Sequence, residues 1–126
     1  AICRSFIVIS DELNHRIVYF RHDGTYFFSI SSYEGLNFSY PSGVAAFPID
    51  GRILVADTNN NRLLLLASNA TSVACQSWGA QSFNHPTCLA IDDKTSDVVV
   101  VDLSAIWWFT QDCKLKRSWT HKPQSV

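Results

Sequence analysis

The 126-residue chain has no excess of either charge, no long apolar run and no cysteine pair of metal-binding spacing. Ten Lys and Arg stand against eleven Asp and Glu, a net charge of −1, and the one basic cluster is "KLKR" at residues 114–117. Proteins held to nucleic acid by phosphate neutralisation carry a basic patch or stripe, so no nucleic-acid partner is expected. No apolar stretch approaches the roughly 20 residues a helix needs to cross a bilayer, so no membrane insertion is expected either. The opening "AICRSFIVIS" lacks the basic n-region and longer apolar core of a secretory signal. A secreted protein would therefore begin here as a mature chain or as a piece of a longer one. Cys3, Cys75, Cys88 and Cys113 form no CxxC, and the histidines form no His-x-x-x-His grouping, which argues against a zinc centre. Their even number suits two disulfides in an oxidising compartment, or four buried thiols acting as small hydrophobes.

What is present is apolar and repetitive. Hydrophobic residues make up 47% and charged residues 17%, the balance of a globular domain. In "GRILVADTNNNRLLLL" (residues 51–66) two apolar runs flank a polar turn, and neither "LLLL" nor the later "DVVVVD" alternates. A strand with one wet face alternates, because successive side chains point to opposite sides of the sheet. These strands are therefore expected to be buried on both faces.

Setting "FSYPSGVAAFPIDGRILVADTNNNRLLLL" above "FNHPTCLAIDDKTSDVVVVDLSAIWWFT" places Phe38 on Phe83, Pro41 on Pro86 and Asp57 on Asp102, each 45 residues apart. An earlier copy puts Asp11 46 residues before Asp57 and "NHRI" over "NNRL". A period near 45 suits a propeller blade of four short strands. Within the middle copy the strands are expected after Pro41, at Arg52 to Ala56, at Arg62 to Leu66 and at about Thr71 to Cys75. The turn chemistry of "PIDG", "DTNNN" and "SNAT" separates them. Asn59 and Asn60 suit a tight second turn with left-handed backbone, and Asp23-Gly24 a hairpin in the first copy. Because each blade is sandwiched between two others, the unbroken apolar runs become blade-to-blade packing, with Trp107 and Trp108 facing different neighbours.

The middle copy also resembles an NHL repeat, in its aromatic, Pro, Gly-Val-Ala, Asp-Gly, Ala-Asp and Asn-Asn-Arg order. The third copy keeps Pro86, Ala90 and Asp102 but has Cys88 for the glycine and Ser104-Ala105-Ile106 for the Asn-Arg turn. The first keeps Asp11, Asn14 and Arg16. The resemblance implies an all-β fold, a β-propeller of NHL-like four-stranded blades, commonly six to a ring. Three blades are expected in one unit of residues 1–126: blade 1 at about 1–34, blade 2 at about 38–76 and blade 3 at about 83–119.

The first copy lacks its opening strand, and the tail "THKPQSV" runs like "NHPTCLA". This reads as a circular permutation. Pro123, Gln124, Ser125 and Val126 would join Ala1, Ile2 and Cys3 of another copy to make one assembly strand. Three blades are too few to close, so six blades by a second copy, a head-to-tail polymer or a tandem neighbour are the expected partners. In such a ring Cys3 would pair with Cys88 between chains and Cys75 with Cys113 within one, although four cysteines allow three pairings.

Asp11, Asp57 and Asp102 recur once per blade, which suits carboxylates capping turn N–H groups better than an asymmetric active site. Arg16 and Arg62 are expected to lay their stems along the blade with their heads on turn carbonyls. The resemblance admits one enzyme class, the zinc-dependent peptidyl-hydroxyglycine amidating lyases, whose histidines follow the blade proline. Those positions here hold Ser42, Thr87 and Gln124, and His15, His22, His85 and His121 do not replace them. Neither catalysis, a metal nor a cofactor is expected. Asn37 ("NFS") and Asn69 ("NAT") are N-glycosylation sequons. The sequence thus reads as a non-enzymatic, extracellular or cell-surface propeller module for self-assembly and for binding protein or glycan, with a structural fibre unit as the alternative.

Overall fold

The computed structural model describes residues 1–3, 5–33, 35–67, 75–78 and 83–120, with the backbone alone at residues 33 and 75–78. Three antiparallel sheets follow one another along the chain. Blade 1 consists of β1 (Ile7–Asp11), β2 (Arg16–Phe20) and β3 (Tyr26–Ile30). A small hairpin of β4 (Ser32–Tyr33) and β5 (Leu36–Asn37) leads to blade 2. Blade 2 has β6 (Pro41–Ala46), β7 (Ile53–Asp57), β8 (Arg62–Leu66) and β9 (Cys75–Trp78). Blade 3 has β10 (Cys88–Ile91), β11 (Val98–Val101), β12 (Ala105–Phe109) and β13 (Leu115–Thr120). Short helical turns at Glu12–Asn14 and Thr58–Asn60 complete the described elements.

Two expectations need correction. The fourth strand of blade 2 runs on to Trp78, past its expected end at Cys75, because the Leu63 to Leu66 ladder pairs with Trp78 back to Cys75, while residues 71–74 of the expected span lie outside the described residues. The turn after Asp57 is a 3₁₀ turn at Thr58–Asn60, and the left-handed residue is Asn61, not Asn59 or Asn60. His15 holds the same place in blade 1. The hairpin at Asp23-Gly24 does turn there, with Gly24 at a φ of 88°. Asn69, His121 and residues 123–126 lie outside the described residues.

Blade 1 does not lack its innermost strand altogether. Residues 1–3 fold back antiparallel on β1. The Ala1 nitrogen donates to the Val8 carbonyl at 2.6 Å, and the Val8 N–H donates to the Ala1 carbonyl at 2.7 Å. Ile2 then bridges Ile7. Ala1 therefore stands on Val8 as Ala45 stands on Leu54 in blade 2. The upper part of that strand, where β6 sets Pro41 on Asp57, has no counterpart opposite residues 9–11.

Two apolar layers hold the blades together. Val8, Ile17 and Tyr19 of blade 1 meet Ile53, Val55, Leu64 and Leu66 of blade 2. On the other side of blade 2, Leu54, Ala56, Leu63 and Leu65 meet Val98, Val100 and Phe109 of blade 3. The consecutive leucines of β8 thus point alternately into two cores, which is why the run does not alternate in polarity. Each such side chain contributes about 1.5–3 kcal/mol by burial. Trp107 packs toward blade 2, while Trp108 lies on the opposite face, stacked on Trp119 with centroids 6.5 Å apart.

Near the axis the inner strands approach closely. A Cβ on Gly43 would come within 2.6 Å of the Thr87 carbonyl and 3.2 Å of the Leu89 nitrogen. Both are backbone atoms that cannot swing aside. Gly43→Ala is therefore expected to destabilise the fold by about 1–3 kcal/mol in urea unfolding. An unchanged midpoint would mean that blades 2 and 3 are not packed this tightly.

Candidate functional site

At the top of each blade an aspartate ends the second strand. Asp57 is fully buried. One oxygen accepts the Ser39 N–H at 2.8 Å, and the other accepts Asn60 Nδ2 and Arg62 Nε, each at 2.8 Å. A second backbone bond, from the Asn59 N–H to the Ser39 carbonyl at 3.0 Å, locks the same residue. The carboxylate thus ties the incoming inner strand to the hairpin that follows β7.

Asp102 repeats this with different donors. It accepts the Asn84 N–H at 3.0 Å, the Ser104 and Ala105 N–H groups at 2.7 Å, and Trp107 Nε1 at 3.0 Å. The Leu103 N–H returns to the Asn84 carbonyl at 2.8 Å. The shorter turn has no arginine, and the indole supplies the missing donor. Burial pushes the Asp102 carboxyl upward, but the N–H groups of Asn84, Trp107, Ser104 and Ala105 outweigh it and hold the group below the ordinary carboxylate range.

Asp11 has only the local half of this arrangement. It accepts Asn14 Nδ2 at 3.1 Å and Arg16 Nε at 2.7 Å, and these bonds hold its carboxyl below the ordinary range. Among the described residues no strand supplies the backbone N–H that Ser39 and Asn84 supply elsewhere. The Arg16 and Asp11 side chains are 43% and 28% exposed, against 16% and 0% for Arg62 and Asp57. Leu13, at the position of Asn59, is 81% exposed. The arginines thus differ from expectation: their main partner is the blade aspartate five residues earlier, whose charge outbids a turn carbonyl.

Beside Asp11 lies an open, largely apolar groove of about 470 Å³, walled by Ile9, Leu13, Arg16, Val18, Phe20 and Tyr26. It runs along the face of blade 1 turned away from blade 2. The opposite end of the arc is also uncovered, with Trp119 42% exposed and Cys88 exposed.

Sequence reasoning missed a latch between blades. The Tyr40 N–H donates to His15 Nδ1 at 3.0 Å, and the His85 N–H donates to Asn61 Oδ1 at 2.9 Å. In each case a left-handed residue of one blade holds the loop entering the next. The signal was an acceptor side chain just after the helical turn.

His15, His22 and His85 lie in separate places. His22 Nε2 contacts the Cys3 carbonyl at 2.8 Å. Among the described residues no three His, Cys, Asp or Glu gather as a metal would require. Cys3 and Cys88 hold thiols within the single chain. Cys3 packs in the layer between blades 1 and 2, whereas Cys88 lies in register with Val101, on the outer face of blade 3. The side chain of Cys75 is outside the described residues. Asn37 is exposed at the end of β5.

The caps make two predictions. Asp102→Asn turns an amide N–H₂ toward N–H donors and should cost about 2–4 kcal/mol in urea unfolding. Because the folded Asp102 binds its proton less readily than the unfolded chain, its contribution is present above the unfolded value near 3.8. It is lost as pH falls through the lower folded value. The urea midpoint should therefore drop below about pH 4, and this acid limb should flatten in Asp102→Asn. A variant as stable as the parent would show that the carboxylate does not clamp the blade.

The NHL repeat pattern matches residues 38–64, which run from Phe38 through the Asp57 cap into β8. No curated protein matches the sequence. Among solved structures, the crystal structure of a functionally unknown protein from Desulfotomaculum acetoxidans is similar over 93% of this chain, with a TM-score of 0.67 and 19% identity. The chain spans 39% of that protein's length, and at this identity the likeness speaks for the fold alone. Residues 38–64 of blade 2 thus match the NHL repeat, and the remaining sheets resemble propeller blades in fold alone.

Proposed function

We propose that this chain is a non-catalytic propeller segment that assembles with further blades, supplied by a second copy or by a tandem neighbour, and presents its turn loops to protein or glycan partners outside the cell. One observation carries the reading: both ends of the arc are uncovered apolar sheet faces. Ile9, 47% exposed, and Phe20 lie on one face, and Val101, Ile106 and Trp108 lie on the other. The middle strands of blade 2, at Ile53 to Asp57 and Leu63 to Leu66, are instead exposed by 6% or less. Open sheet faces and edges of this kind associate in water. Two three-blade arcs would complete six blades around a twofold axis. The exposed sequon at Asn37 is compatible with an extracellular setting.

The tail fits this closure less directly than its sequence suggests. Trp119 pairs with Ile106 as Trp78 pairs with Leu63, so the two tryptophans hold one register. From Trp78 to Pro86 the chain has eight residues for its crossing, but from Trp119 to Pro123 it has four. Four extended residues reach about 14 Å, while the outer and inner strands of a single four-stranded blade are already about 14 Å apart. The tail thus has no length to spare for this crossing, and residues 123–126 lie outside the described residues. Association through the end faces therefore leads the proposal. Closure would also leave Cys3 and Cys88 on opposite sides of the blade 1 sheet, so that bridge is not carried forward. A Cys75–Cys113 bridge stays open to it.

Sedimentation equilibrium tests the proposal. The expected mass is twice the 14.1 kDa chain or more at micromolar concentration. Phe20→Lys, on the open face, should shift the chain to monomer without unfolding it. A wild-type chain that stays monomeric at every concentration would overturn the reading.

A further inference from the structure

The lower turns of blades 2 and 3 are one loop in two versions. In blade 2 the Phe47 N–H bonds the Arg52 carbonyl at 2.8 Å, and the Gly51 N–H returns to the Phe47 carbonyl at 2.8 Å. In blade 3 the Asp92 N–H bonds the Asp97 carbonyl and the Ser96 N–H returns to the Asp92 carbonyl, each at 2.9 Å. Ser96 thus stands at the glycine position, and it keeps the glycine backbone: φ is 75° at Gly51 and 60° at Ser96. That left-handed region is open to glycine and disfavoured for a residue with a Cβ. Ser96 is only 6% exposed, and among the described residues its hydroxyl makes no hydrogen bond. Side-chain polar groups this deeply placed ordinarily have a partner. Neither the turn nor the core uses this one.

Ser96 lines an open pocket of about 310 Å³ between the two loops. Ile49, 69% exposed, and Pro48 give it an apolar wall from blade 2. Asp93, Lys94 and Gln111 line it from blade 3, so both walls belong to turns between described strands. The blade 3 turn is held in shape by the Asp92 carboxylate, which accepts the Lys94 N–H at 3.1 Å and the Thr95 hydroxyl at 2.8 Å. The Lys94 ammonium and the Gln111 amide have no partner among the described residues. One carboxylate and one ammonium offset each other, so the pocket selects neither an anion nor a cation. Amide, hydroxyl, ammonium and carboxylate together offer donors and acceptors side by side, which suits a ligand whose groups both donate and accept. A peptide backbone would need a strand edge to pair with, and these walls are turns. The volume lies at the lower end of ligand pockets, room for about one ring. Deepening the proposed presentation of loops to protein or glycan, and resting on it, we infer that this pocket binds the terminal ring of a neutral glycan. The C–H face of the ring would lie on Ile49, and its hydroxyls would bond Ser96, Gln111, Asp93 and Lys94.

The probes are methyl β-N-acetylglucosaminide, methyl α-mannoside and methyl β-galactoside, titrated one at a time into the chain in its native assembly state. At least one should give saturable shifts of the amide NMR signals of Ile49, Lys94, Ser96 and Gln111, with a Kd of about 1–10 mM for a small, solvent-open site. Ser96→Gly copies Gly51 of blade 2, so the turn is kept and only the hydroxyl is lost. It should weaken binding about two- to tenfold, the worth of one neutral hydrogen bond. Ile49→Ser, at an exposed position, should weaken it as well, and Asp23→Asn in blade 1 should leave it unchanged. Sialic acid and glucosamine, which carry opposite charges, should bind more weakly than the neutral glycoside. No saturable shift at about 100 mM of any of the three, shifts confined to other residues, or a charged sugar bound as tightly would overturn the inference. So would binding indifferent to both Ser96→Gly and Ile49→Ser. Saturable binding of acetyl-dialanine amide at these residues, with no glycoside bound, would also overturn it and leave presentation of loops to protein standing. Association of the end faces is read separately by sedimentation and does not depend on these results.

Discussion

The fold depends on a carboxylate buried at the top of blades 2 and 3. Asp57 and Asp102 gather donors from three places: the loop that enters the blade, the hairpin that follows the second strand, and the side chain that begins or lines the third. An ionised carboxylate taken from water without donors is very costly, so its neighbours must be held in place to satisfy it. That requirement fixes where each inner strand begins and how far it stands from the hairpin. The apolar layers supply most of the burial, and the carboxylates set the register in which it occurs.

The same requirement explains the asymmetry of the arc. Blades 2 and 3 receive their incoming strand from the preceding connection of the same chain, so their caps are closed. Blade 1 has residues 1–3 along the lower part of β1, no described residue pairs with the upper part, and its aspartate is partly exposed. The open groove, the exposed Leu13 and the partly exposed Arg16–Asp11 pair are consequences of one missing partner, not separate features. The Ser42 hydroxyl, 3.0 Å from the Thr87 carbonyl, and the Ser10 hydroxyl, 2.7 Å from the Ser42 carbonyl, stitch neighbouring blades near the axis. Together with the close approach at Gly43, these bonds make the arc one packed body with two unfinished ends.

Much of this was legible in the residues. The 45-residue spacing of Phe, Pro and Asp located the blades, and the unbroken "LLLL" revealed burial on both faces before any strand was placed. The aspartates were read as caps because they recur once per blade. Other features depended on partners far away in sequence. The Asp–Arg pairing needed the turn geometry that brings residues five apart together, and the His15 and Asn61 latches needed the next blade in position. The extension of β9 to Trp78 followed from pairing register, which composition does not encode.

Residue-resolved amide hydrogen exchange of Leu13, Asn59 and Leu103 tests the central claim most directly, since the three occupy one position in successive blades. Asn59 and Leu103 should be protected in any folded state of the chain. Leu13 should exchange freely in the 126-residue chain and become protected only when a further strand is added along residues 9–11. Leu13 protected as strongly as the other two in an isolated monomer, or Asn59 and Leu103 exchanging as fast as Leu13, would contradict the account.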